Sequence, residues 1–186
     1  MDTPVYVAIL RGINVSGQKK ILMPELRNAL SGLGLKEMQT YIQSGNIVFR
    51  SIGNDQDELA AQIGDQIFRY FGFTVPVVVL TRTELAQIVV KNPFIQETKT
   101  DADRIYVTFL ATLPEDQQVN ELQDFRDEPN RFIILGKVIY LYCPDGYGRV
   151  KINNTFFEKK LSVQATTRNW KTVLQLLTLC NSFINN

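Results

Sequence analysis

Histidine is absent from all 186 residues. That removes Ser-His and Cys-His nucleophile pairs, His proton shuttles and His metal ligands together. Cysteine is scarce. Cys143 and Cys180 stand far apart, form no CxxC pair, and read as buried free thiols rather than a disulfide. With no CxxC pair and no EF-hand loop, neither a structural metal nor a cofactor is called for. No apolar run approaches the ~20 residues needed to cross a bilayer. The opening MDTPVYVAIL lacks the basic n-region and long apolar stretch of a secretory signal. The expectation is a soluble, cytoplasmic chain with no membrane partner. No low-complexity segment interrupts it. Neither sign of charge dominates: 20 Lys and Arg against 19 Asp and Glu leave +1, which is no polyelectrolyte signature for nucleic acid.

What is present is unevenly distributed. Residues 101–130 carry eight acids and two bases, whereas 131–186 carry eight bases and two acids. An anionic partner for the C-terminal part follows, or else opposite patches that neutralise each other or lie on solvated faces.

Val5–Leu10 is a continuous apolar run, fit for a central strand. Met23, Leu26, Leu30 and Leu33 recur at helical spacing, with Pro24 and Glu25 in the first turn and Gly34 as the stop. Met38–Gln43 alternates as a strand, Ser44-Gly45-Asn46 turns the chain, and Ile47–Arg50 returns it. Asp55 or Asp57 can cap a helix carrying Leu59, Ile63, Ile67 and Phe71. Val75–Leu80 follows, with Pro76 arguing for a sheet edge. The order β-α-β-β-α-β is the ferredoxin-like split arrangement.

A linking helix opens on the capping box Thr81/Glu84 and stops at Asn92-Pro93. Polar residues 96–103 read as a connector. Arg104–Leu110 is a strand, and Thr112/Glu115 is a second capping box. Phe132–Leu135 and Val138–Cys143 flank the two-residue turn Gly136-Lys137. Thr155/Glu158 cap a short helix, and the last helix begins near Thr167. The fold class expected is therefore α+β, with two packed subdomains: 1–95, ferredoxin-like with the linking helix, and 96–186, a partial variant reading βαββαα.

Three segments are basic, rich in Gly, Asn or Thr, and open a helix. The first is RGINVSGQKK, with Arg11, Asn14, Lys19 and Lys20. Gly12 and Gly17 there permit close backbone approach, and free N–H groups can hold an oxyanion. It matches neither GxxxxGK[ST] nor GxGxxG, and an ordinary polar loop remains open. The hairpin tip Ser44–Asn46 is explained as well by turn chemistry. The second segment is DGYGRVKINNTFFEKK, with Lys151 and Asn154. The third is ATTRNWKTV, with Thr166 or Thr167 as cap and Arg168 in the first turn, where a cation opposes the helix dipole unless an anion lies near. A pairing of Arg168 with Glu158 is the plain alternative.

The strings YVAILRGINVSGQKK, YIQSGNIVF, DRIYVTFL, KINNTFFEKKL and TTRNWKTV resemble domain-of-unknown-function family 1697, a bacterial family, over essentially the whole chain. Ser16-Gly17-Gln18 departs from the Gly-Gly followed by Lys that relatives often show. The resemblance implies an α+β fold with a ferredoxin-like half and supplies no activity.

The residues together point to a small anionic ligand, phosphate- or carboxylate-bearing and possibly a nucleotide, bound by Arg11, Asn14, Lys19, Lys20, Ser44, Asn46, Lys151, Asn154, Thr167 and Arg168. An enzyme acting on a phosphorylated or nucleotide substrate would need Lys, Asp145, Tyr147 or Glu158 for proton transfer, lacking His and metal. An RNA-binding module would use Tyr6 and Phe49 as stacking rings, though no RNP1 pattern is present. A protein-interaction module needs no ligand at all.

Overall fold

The computed structural model describes residues 3–15, 17–53, 55–97 and 100–183. Ser16, where the family string departs, and residues 98 and 99 of the expected connector lie outside these. The chain is α+β. It divides into two compact units, Met1–Ala86 with Gln175–Asn186, and Gln87–Leu174.

The first unit holds β1 (Val5–Leu10), α1 (Met23–Leu30), β2 (Lys36–Tyr41), β3 (Asn46–Arg50), α2 (Gln56–Phe71) and β4 (Val77–Thr81). Its antiparallel sheet runs β2-β3-β1-β4. The all-apolar β1 is central, and β4, entered through Pro76, is an edge, as a residue without an N–H requires. Tyr6, Ala8 and Leu10 of β1 join Ile47 and Phe49 of β3 in a core completed by Leu26 and Leu30 of α1 and Leu59, Ile63 and Ile67 of α2. Asp55 caps α2, accepting from the Glu58 N–H at 2.9 Å. Tyr6 and Phe49 stack at 5.8 Å between centroids but are 2% and 0% exposed. They are core rings and offer no platform to a base.

α3 (Arg82–Val90) begins at the expected capping box. Glu84 accepts from the Thr81 N–H at 2.8 Å, and its own N–H donates to Thr81 Oγ1 at 3.1 Å.

The second unit holds β5 (Ile105–Leu110), α4 (Asp116–Glu121), β6 (Arg131–Leu135), β7 (Val138–Tyr142), α5 (Asn154–Leu161) and β8 (Ala165–Asn169), followed by α6 (Trp170–Ser182), whose last part groups with the first unit. Its sheet runs β6-β7-β5-β8. This is the topology of the first unit, strand for strand.

β8 corrects the expected βαββαα. Residues 165–169 pair along the whole of β5, from Leu110↔Ala165 to Tyr106↔Asn169. The two β-branched threonines suit a strand, and the free edge of β5 supplies the partner. The last helix accordingly starts three residues later than expected. Its cap is Asn169, whose Oδ1 accepts from the Thr172 N–H at 2.8 Å.

Two other expected caps also move. α4 begins after Glu115 with no side-chain cap bond, so Thr112/Glu115 is not a capping box. α5 is capped by Asn153, which accepts from the Phe156 N–H at 3.1 Å. Glu158 instead accepts from the Ala165 N–H at 3.1 Å.

Candidate functional site

In the first unit, loop 11–20 and the hairpin turn before β3 are built against each other. The Leu10 N–H donates to the Gly45 carbonyl at 2.8 Å. The Asn14 amide donates to the Ile21 carbonyl at 2.9 Å and the Gln43 carbonyl at 2.7 Å, while its Oδ1 accepts from the Ile21 N–H at 2.9 Å. Asn14 thus spends both amide hydrogens on closing the loop and fastening it to the turn. Gly45 sits at φ 77°, and a Cβ there would lie 2.6 Å from Ile13 Cδ1 and 2.8 Å from Leu10 Cβ. Only glycine fits both the left-handed backbone and the close approach. Asn46, fully buried, donates to the Tyr41 carbonyl and to Ser44 Oγ, each at 3.0 Å. Lys19 Nζ donates to the Thr74 carbonyl at 2.7 Å. Arg11 is half-buried, with its backbone N–H on the Pro76 carbonyl at 2.9 Å, and Lys20 is exposed.

In the second unit, four side chains form one hydrogen-bonded chain at the start of α5. Thr108 and Thr167 face each other across β5 and β8, with their hydroxyls 2.6 Å apart. Thr167 donates to Asn154 Oδ1 at 2.6 Å. The Tyr147 hydroxyl lies 3.0 Å from Thr167 Oγ1 and accepts the Asn154 backbone N–H at 3.1 Å. The protons can be ordered in only one consistent way. Tyr147 accepts from the Asn154 N–H and keeps its own proton to donate to Thr167. Thr167 gives its single proton to Asn154, so Thr108 also donates to Thr167. The result pins the Asn154 amide by its oxygen. Its Nδ2 donors have no partner among the described residues.

The approach to this chain is shaped by Asp127, which sequence reasoning did not single out. Its Oδ2 accepts from the Lys151 and Ile152 N–H groups at 3.1 and 3.4 Å and from Asn130 Nδ2 at 3.2 Å. The Lys151 side chain is exposed, three residues before Asn154. Thr108 was missed too, although a hydroxyl in the middle of the apolar strand IYVTFL is a signal that something must satisfy it.

Arg168 is placed differently from expectation. It lies in β8, not in a helical first turn, two residues before α6 begins at Trp170. Successive strand residues point to opposite faces. Thr167 faces α5, whereas Arg168 projects from the other face beside Thr166. It is 8% exposed, and its Nη1 donates to Thr166 Oγ1 at 3.2 Å and to the Thr167 carbonyl at 2.9 Å. Desolvation lowers its pKa to about 10, which leaves it charged at neutral pH. The structure therefore joins Asn154 to Thr167 and separates Thr167 from Arg168. Among the described residues no group of three or more Cys, Asp or Glu is placed to hold a metal ion, and no helix is long and apolar enough to cross a membrane.

The chain belongs to the protein family of unknown function DUF1697, whose model matches residues 3–140. Among solved structures it is similar to a conserved bacterial protein from Streptococcus pneumoniae. The two are 23% identical, with a TM-score of 0.72, over 96% of this chain and 99% of that one. That likeness extends the α+β fold to both units. No curated protein matches the chain.

Proposed function

We infer that the chain binds a small anionic molecule, carrying phosphate or carboxylate and with nucleotides among the candidates, at the start of α5. The carrying observation is Asn154: Thr167 pins its oxygen at 2.6 Å, leaving the amide donors for a ligand. The nearby Asp127 carboxylate is already engaged by the Lys151 and Ile152 N–H groups and the Asn130 amide. α5 has no acid in its first turn, and the exposed Lys151 precedes it.

The first unit supplies an internal control. Its topological counterpart, α2, is capped by Asp55 and carries Asp57 and Glu58 in its first turn. Those carboxylates satisfy the helix dipole from within the chain and repel an anion. At the matching place α5 offers amide and ammonium instead. Loop 11–20, with Arg11, Lys19 and Lys20, adds cationic charge to the first unit, where Asn14 and Asn46 act as fasteners.

The test is a thermal-shift screen with inorganic phosphate, pyrophosphate, nucleotides, sugar phosphates and dicarboxylates. A ligand at a hundredfold its Kd adds about 2.7 kcal/mol, which raises the melting temperature by about 5–10 °C in a chain of this size. Asn154→Asp keeps the oxygen that Thr167 needs and replaces the donor with negative charge. It is expected to retain the melting temperature and lose the ligand shift, as is Lys151→Glu. Equal shifts in wild type and both variants, or no shift with any compound, overturn the reading.

A further inference from the structure

Edge strands that must not pair are blunted by bulges, charge or short length. β2 and β6 occupy the same edge position in the two sheets, so they can be compared directly. β2 reads KEMQTY. Its register with β3 shifts between Lys36 and Gln39, and Glu37 takes φ 51°. It is a protected edge. β6 reads RFIIL and pairs with β7 without a shift over all five residues. It has no bulge, no Pro, and a single charged residue.

That residue, Arg131, is drawn aside. Its guanidinium grips both Glu97 carboxylate oxygens at 2.6 and 3.2 Å and lies 5.0 and 5.1 Å from the ring centroids of Phe94 and Tyr142. The hydrogen bond from Arg131 holds the Glu97 carboxyl below its usual range. Ile133 and Leu135 remain 37% and 47% exposed.

The direction of the backbone groups follows from the ladder. The Leu110 N–H donates to the Lys137 carbonyl and the Cys143 N–H to the Arg104 carbonyl, both at 2.9 Å. Odd-numbered residues of β7 thus bond to β5, and Val138, Tyr140 and Tyr142 bond to β6. Their partners in register are Leu135, Ile133 and Arg131. Phe132 and Ile134 therefore turn their N–H and C=O groups outward, where no partner meets them among the described residues.

A groove of about 560 Å³ runs along this edge. Residues from both faces of β6 line it, together with Phe94 on one side and Leu122 and Phe125 on the other. Its charged lining is Glu97, Asp127 and Glu128 against Arg126 and Arg131, with Arg131 and Glu97 paired to each other, so the balance is negative by one. Asn154, Thr167, Thr108, Tyr147 and Lys151 do not line it, whereas Asp127 borders both places.

We propose that β6 is a docking edge that takes an extended, basic peptide segment of a partner protein as an added strand. The outward groups of Phe132 and Ile134 supply the main-chain hydrogen bonds, the apolar groove receives alternate side chains, and the net negative lining, with Glu128 and Asp127 at the edge, favours Lys or Arg. A second copy of this chain is disfavoured, because edge-to-edge pairing would bring two net negative grooves together.

The experiment uses the full chain and an end-blocked peptide alternating Lys and Val, with binding followed by fluorescence anisotropy. Three comparisons carry the test: the same peptide N-methylated at alternate amides, a Glu–Val peptide of equal length, and the Glu128→Lys variant of the protein, checked for an unchanged melting temperature. Saturable binding is expected, weakened about tenfold or more by N-methylation, because two main-chain hydrogen bonds are lost. The Glu–Val peptide should bind at least tenfold more weakly than the Lys–Val one, and Glu128→Lys should weaken the Lys–Val peptide alone. Equal affinity of the N-methylated peptide, equal affinity of the acidic peptide, or absence of binding overturns the proposal. So does sedimentation showing a stable dimer of the chain that the Lys–Val peptide does not dissociate.

Discussion

Thr167→Val perturbs the hydroxyl chain with the least collateral change. Valine keeps the branched Cβ that β8 accepts and nearly the same volume, so the strand itself is untouched. Three hydrogen bonds are lost, at 2.6, 2.6 and 3.0 Å. Thr108 is 0% exposed, and stranding its hydroxyl costs about 1–3 kcal/mol. Tyr147 and Asn154 are half-buried, so water can replace their lost partner at a cost of about 0.5 kcal/mol each. The variant should lose about 3 kcal/mol in all, or roughly 6–12 °C in melting temperature. Urea unfolding followed through Trp170, the single tryptophan and a residue of the second unit, measures the loss as a lower midpoint at unchanged m. The decisive comparison is the double variant Thr108→Val, Thr167→Val. It removes the stranded hydroxyl, so it should be more stable than Thr167→Val by about 1 kcal/mol. A double variant less stable than Thr167→Val refutes the idea that the Thr108 hydroxyl depends on Thr167 for its hydrogen bond.

Gly45→Ala should cost about 3 kcal/mol, from left-handed strain and a close approach to Leu10 and Ile13. Gly17→Ala, at a similar φ of 76° but with nothing within 4 Å of the added carbon, should cost about 1 kcal/mol. Equal losses in the two variants would show that backbone strain alone matters at Gly45. Burial pushes the thiols of Cys143 and Cys180 from an ordinary value of 9 up to about 12. Folding therefore favours the protonated thiols. This stabilisation is complete below pH 9 and is lost as pH rises from 9 toward 12. The urea midpoint should fall over that range, and fall less in a chain carrying Cys143→Ser and Cys180→Ser. Native protein should resist thiol reagents at pH 8 and react once unfolded.

The first unit was legible because each of its elements carries its own period. VYVAIL is apolar throughout, Met23, Leu26 and Leu30 repeat at helical spacing, and Pro76 marks an edge. β8 was not legible, because ATTRN has one apolar residue and owes its form to a partner strand far away in the chain. The capping boxes show the same limit. Thr81/Glu84 closes as written, but Thr112/Glu115 and Thr155/Glu158, spelled the same way, do not. For α5 the stronger cap, Asn153, lies immediately upstream. Of the candidate site, Lys151 and Asn154 could be read from a local motif. Thr108 could not be linked to Thr167, since 59 residues separate them and only the sheet joins them. Arg168 was placed in a helical first turn, an error that followed directly from reading β8 as helix.

Two units with one topology let each position be judged against its counterpart. Where both must only fold, they use the same devices: an apolar central strand, β1 or β5, and an Asx cap, Asp55 or Asn153, on the second helix. The second unit departs from the first at two places. The start of α5 trades the acids of α2 for Asn154 and Lys151, and the β6 edge trades the bulge and charges of β2 for a straight apolar strand. Neither exchange helps the second unit to fold. Losing first-turn acids forgoes about 0.3–1 kcal/mol of dipole stabilisation, and an unprotected edge invites aggregation. Both changes carry a cost in isolation, which the proposed anion at the helix start and the proposed strand at the sheet edge would recover.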